Sequence, residues 1–136
     1  MPYPCFFFLK FKLVSHSTHV HRVAHEPVGR AEGLTDEQLA AIRDVSYARS
    51  STPRPAASPA LTPLLVAGLA LADAMTVNVK VPQDVFDALK AHLNDQEMLE
   101  ATATVASYNM VSRLLVALDV NEMADTEVPQ PGTSPL

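Results

Sequence analysis

Residues 94–118 read NDQEMLEATATVASYNMVSRLLVAL, and this stretch decides the fold. It opens with Asn94-Asp95-Gln96-Glu97, a polar N-cap with a glutamate three positions later that can reach back, which is the signature of a capping box. No proline or glycine interrupts the residues from Met98 to Leu118, so the spacing predicts one long helix from about Asp95 to Leu118. Met98, Thr102, Val105, Asn109, Ser112 and Val116 fall along one stripe of that helix. Leu99, Ala106, Met110 and Leu114 add apolar cover beside the stripe. A helix apolar over most of its circumference needs neighbours on several sides. The chain predicts few helices, so some of those neighbours are expected from another subunit.

The rest of the chain agrees with a helical reading. Its 136 residues suit one domain, with 48% apolar and 18% charged residues. Thr62 is placed to cap a helix whose first residue is Pro63, and the Ala- and Leu-rich run through Met75 should be buried on several sides. Pro82 opens a shorter helix as a first-turn proline, with Val85, Phe86 and Leu89 as its buried face. Upstream, Thr35 and Gln38 make a second capping box, and Leu39, Ile42 and Val45 or Ser46 recur at helical spacing up to about Tyr47 or Arg49. Gly33 suits the end of a preceding helix. Strand signals are confined to the brief alternation of Val77 with Val79 to Val81, which Pro82 ends. The fold class expected is all-α.

Three segments stand apart from these helices. Residues 1–18 hold the greasy cluster Cys5-Phe6-Phe7-Phe8-Leu9, with Lys10 and Lys12 after it rather than before it. That order, with no small-residue cleavage site, argues against a secretory signal. The segment reads as a poorly specified extension, and a gene-model artefact such as translated intron is one account of it. Ser50 to Pro59, with Pro53, Pro55 and Pro59, reads as a linker. Residues 122–136, with Pro129, Pro131, Gly132 and Pro135, read as a disordered tail. The folded domain is expected over residues 19–121.

Composition excludes several functions. Ten Lys+Arg against fifteen Asp+Glu give a formal charge of -5, which argues against a nucleic-acid partner. No apolar run approaches the ~18 residues of a membrane span, so no membrane partner is expected and the default location is cytoplasmic. The single Cys5 rules out a CxxC redox pair and a multi-cysteine metal site. His21 and His25 are four apart but lack the intervening glutamate of a zinc helix, and no metal or cofactor is expected. On the long helix, Asn109 and Arg113 lie one turn apart. Two readings are open for them: Asn109 ties helices together while Arg113 pairs with Asp73 or Glu100, or the group lines a pocket. Asp73, an acid inside an apolar helix, carries the same ambiguity.

In their order, these residues resemble the carboxymuconolactone decarboxylase family, which includes the alkylhydroperoxidase D-like proteins. The resemblance runs through Asp73-x-x-Thr76, then Val81 to Leu89, then Leu93 to Thr102, then Tyr108-Asn109-x-x-x-Arg113, with Leu34 to Asp44 before them. His25-Glu26-Pro27 followed by Gly33 is similar to the active-site motif of the branch without cysteines. The family's acid and aromatic would fall where this chain has His21 and Arg22, and the helices that usually precede the motif are replaced by residues 1–18. The resemblance implies an alkylhydroperoxidase D-like helical bundle, incomplete on its N-terminal side, that assembles into homo-oligomers, trimers or hexamers.

It also implies cofactor-independent decarboxylation or lyase chemistry on a small lactone carboxylate. His25 would be the acid–base group, its ordinary pKa of about 6.5 allowing proton exchange near neutrality. Glu26 would sit beside it, and Arg22, Arg30 or Arg113 would hold the anion. The family's peroxidase chemistry is disfavoured here because it needs a cysteine pair. The alternative to an enzyme is a catalytically degenerate helical oligomerisation module, which His21 and Arg22 at the acid and aromatic positions favour.

Overall fold

The computed structural model describes residues 26–31, 33–43 and 61–118. Residues 1–18, the Ser50–Pro59 linker, the 122–136 tail, and His21, Arg22 and His25 lie outside them. The described residues are helical and contain no strand, so the fold is all-α. Residues 26–31 belong to a first helix, α1. It is followed by α2 (Asp36–Arg43), α3 (Pro63–Asp73), a π-helical turn (Ala74–Asn78), α4 (Gln83–Lys90) and α5 (Asp95–Ala117).

Local chemistry sets most of the boundaries. Gly33 adopts φ 92°, a conformation that costs a residue with a Cβ but not glycine. Its N–H donates to the Arg30 carbonyl and the Leu34 N–H donates to the Gly29 carbonyl, both at 3.0 Å, which together make a Schellman stop for α1. Thr35 and Gln38 then form the reciprocal capping box of α2: the Gln38 N–H donates to Thr35 Oγ1 at 3.2 Å, and the Thr35 N–H to Gln38 Oε1 at 3.0 Å. Thr62 caps α3 by accepting from the Leu65 N–H at 3.3 Å, with Pro63 in the first turn. Asn94 and Glu97 close the capping box of α5, both bonds being 2.9 Å. Pro82 stands one place earlier than the sequence predicts, at the N-cap of α4 rather than inside its first turn. It still supplies the carbonyl that accepts from the Phe86 N–H.

α3 is the central element because it is apolar on more than one face. On one side Leu61, Leu65 and Leu69 pack with Leu34, Leu39 and Ile42 of the α2 layer. On another, Ala67, Leu71 and Ala72 pack with Leu89 of α4 and with Met98, Ala101 and Val105 of α5. Leu39, Ile42, Leu69, Leu71, Leu89 and Val105 are fully enclosed. Burying each such side chain contributes about 1.5–3 kcal/mol, so these contacts dominate what holds the bundle. α4 contributes less of itself than its pattern predicts. Leu89 is fully buried and Val85 half-buried, but Phe86 stays exposed, because only one side of this short helix meets α3 and α5.

α5 shows two apolar faces with different fates. Met98, Ala101, Val105, Asn109 and Ser112 are buried against the bundle. Thr102 of the predicted stripe is half-buried, and Val116, near the helix end, is exposed. Leu99, Ala106, Met110 and Leu114, which the pattern places as further apolar cover, lie exposed on the opposite side of the helix.

Candidate functional site

The apolar run of α3 does not end as a plain α-helix at Met75. After Asp73 the backbone widens into a π turn over Ala74–Asn78, a rare geometry that recurs at functional sites. Thr76 sits in the middle of that turn. Its hydroxyl donates to the Ala72 carbonyl at 2.7 Å, a back-bond that bends helices. The same hydroxyl oxygen accepts from Asn109 Nδ2 of α5 at 3.2 Å. The Thr76 carbonyl, released from the α-helical ladder by the wider turn, accepts from Arg113 Nη2 at 3.2 Å. One threonine therefore receives both polar side chains that lie one turn apart on α5.

The turn leaves through a second unusual conformation. Val79 has φ 65° and ψ -49°, and the Lys80 N–H donates back to the Asn78 carbonyl at 2.7 Å. That is a positive-φ γ-turn, a rare and strained one, and a β-branched residue is the worst suited to it. Val79 is 77% exposed, so core packing gives nothing in return for the strain. The constraints come from both ends: Thr76 is tied to α5, and Pro82 fixes the start of α4.

Of the two readings open for α5, the helix tie is realised: Asn109, 7% exposed, bonds across to Thr76. Arg113 takes the Thr76 carbonyl, while Glu100 accepts from Gln96 at 2.9 Å. Asp73 is buried one turn before Thr76. Tyr108 is half-buried against the core formed by α3, α4 and α5.

Glu26 occupies a separate setting. It is buried on α1, and its carboxylate takes Arg30 Nη2 at 3.0 Å, one helical turn away. Arg30 also pairs with Asp36 at the start of α2. This Glu26–Arg30–Asp36 chain clamps α1 onto the N-terminus of α2, where an acid is favoured by the helix dipole. Arg30, one of the cations expected to hold an anion, is thus engaged by two carboxylates. Of the expected catalytic set, Glu26 and Arg113 are each held by their own neighbours, and His25 lies outside the described residues.

Thr76 is the residue that single positions in the sequence do not reveal. Its signal was the Asp73-x-x-Thr76 spacing at the end of an apolar helix, but the pairing partner lies 33 residues further on and no local pattern names it. The strain at Val79 had no sequence signal, since valine is among the residues least expected there. No helix among the described residues is long and apolar enough to cross a membrane. Comparison with known protein families, curated proteins and solved structures finds no match for this chain.

Proposed function

We propose that this chain is a self-associating helical protein of the carboxymuconolactone decarboxylase-like type, in which the polar residues of the bundle hold helices together rather than a substrate. The observation that carries this reading is the outer side of α5, where Leu99 is 70%, Met110 64% and Leu114 54% exposed. Monomers seldom leave contiguous apolar surface of that kind open to water. The candidate chemical groups support the same reading. Glu26 is committed to Arg30, Arg113 to the Thr76 carbonyl and Asn109 to the Thr76 hydroxyl. A homo-oligomer, a trimer or hexamer on the resemblance, in the cytoplasm, goes with this proposal. Sedimentation velocity on the purified chain tests it: an oligomer at micromolar concentration is expected, and a stable, well-folded monomer refutes it.

One observation favours the enzyme as a second reading. The Asp73-x-x-Thr76 and Tyr108-Asn109-x-x-x-Arg113 motifs, remote in sequence, meet at Thr76, as members of one constellation should. On this reading His25 moves the proton and Arg113, which is exposed and bonded through one nitrogen of its guanidinium, holds a carboxylate. A His25→Ala variant that turns over a small lactone carboxylate as fast as the parent eliminates it.

A further inference from the structure

We propose that a second copy of this chain covers the outer face of α5, with the two helices antiparallel about a two-fold axis between Ala106 and Ser107. This rests on the self-association reading above and specifies its contact. The face consists of Leu99, Ala103, Ala106, Met110, Leu114 and Ala117, all exposed. Each is three or four residues from the next, so they form one stripe along the helix. The stripe holds no charged residue over five turns.

Area favours a partner of the same kind. With Leu99, Met110 and Leu114 more than half exposed, the stripe offers on the order of 500 Å² of apolar surface per copy. Two copies would remove about 1,000 Å² from water, which is the lower limit for a specific contact.

The order of residues selects the direction. In an antiparallel pair centred between residues 106 and 107, Leu99 lies level with the second copy's Leu114, and the small Ala103 lies level with its Met110. Each bulky side chain then meets a small one or a branched one it can interleave with. A parallel pair in register instead sets Ala103 on Ala103, leaving a void, and Met110 on Met110, where two long side chains compete for one space. A two-fold contact of this kind closes a dimer by itself and is also one of the two contacts of a dihedral hexamer.

Cysteine pairing tests the geometry. In a Cys5→Ser background, Ala103→Cys and Met110→Cys are made as separate proteins, mixed, and oxidised. The mixture is expected to give a disulfide-linked dimer, whereas each protein alone is not, because its two copies of the same position lie about 10 Å apart along the axis, beyond disulfide reach. Cross-linking of each protein alone, with none gained on mixing, overturns the antiparallel arrangement. Sedimentation separates the two levels of the argument. A Leu99→Glu/Met110→Glu variant, changed only at exposed positions, is expected to raise the dissociation constant at least ten-fold. An oligomer that persists unchanged in that variant, with no cross-link in the mixture, overturns this contact and leaves self-association through another face. A monomeric parent overturns both. Association of the stripe with an unrelated helical peptide while the parent itself stays monomeric also overturns the proposal.

Discussion

Replacing Thr76 by valine keeps the side-chain shape and removes only the hydroxyl, so it isolates what the knot between the π turn and α5 contributes. Two hydrogen bonds disappear, to the Ala72 carbonyl at 2.7 Å and from Asn109 at 3.2 Å. A neutral hydrogen bond contributes about 0.5–1.5 kcal/mol net, and a buried amide left without its acceptor loses about 1–3 kcal/mol. Asn109 is buried, whereas Thr76 is half-buried and water can reach part of its surroundings. The expected destabilisation for Thr76→Val is therefore about 2 kcal/mol. Asn109→Leu, which removes the donor from the same pair, is expected to cost about 1–3 kcal/mol. The decisive quantity is the double variant. If the two side chains act through one another, the combined cost falls short of the sum by about 1 kcal/mol. Urea unfolding at one fixed protein concentration measures it, so that the proposed self-association would enter every variant alike. A loss of about 2 kcal/mol moves the urea midpoint by about 1 M for a protein of this size, with the slope unchanged. Additivity within about 0.3 kcal/mol, or a Thr76→Val variant as stable as the parent, refutes the tie and returns Asn109 to the pocket-lining reading.

Three other outcomes are expected at particular residues. Val79→Gly is expected to stabilise the protein by up to about 1 kcal/mol, since relief of the positive φ outweighs the added flexibility of the unfolded chain and the exposed side chain gives up no core contact; a lower thermal midpoint would show that the valine is not strained. Asn94→Ala should cost about 0.5–2 kcal/mol in urea unfolding through loss of the α5 capping box, and no change would mean that water replaces the cap at no cost. Asp95 is held below the usual carboxylate range, first by its hydrogen bond from Lys90 and then by that residue's charge. A depressed carboxylate stabilises the fold above its unfolded pKa of about 3.9 and loses that contribution as pH falls through the folded value. The parent should therefore exceed Asp95→Asn in midpoint at neutral pH and converge with it in acid; a difference that grows below about pH 4 contradicts the pairing.

What the sequence made legible divides along a physical line. Both capping boxes, the Gly33 stop and the Thr62–Pro63 start are decided by atoms within a few residues of one another, and each stands where its pattern put it. The π turn and the Val79 γ-turn stand where α5 bonds to Thr76 from 33 and 37 residues away, so the local pattern read only a helix through Met75 and a brief alternation of Val77 with Val79 to Val81. Phe86 failed for a related reason. Periodicity marks a face as apolar, but whether that face is covered depends on how many helices reach it, and α4 is too short to be enclosed on two sides. The same distinction governs α5. Its pattern established that two faces are apolar, and only packing could assign Met98, Ala101 and Val105 to the interior and Leu99, Met110 and Leu114 to the outside. The outer face is a continuous stripe: its six members keep helical spacing from Leu99 to Ala117 with no charge among them. Glu26 is clamped by Arg30, and Arg113 is held by the Thr76 carbonyl. The outer face of α5 is the feature that the described fold itself does not use, and it is therefore where function is best sought.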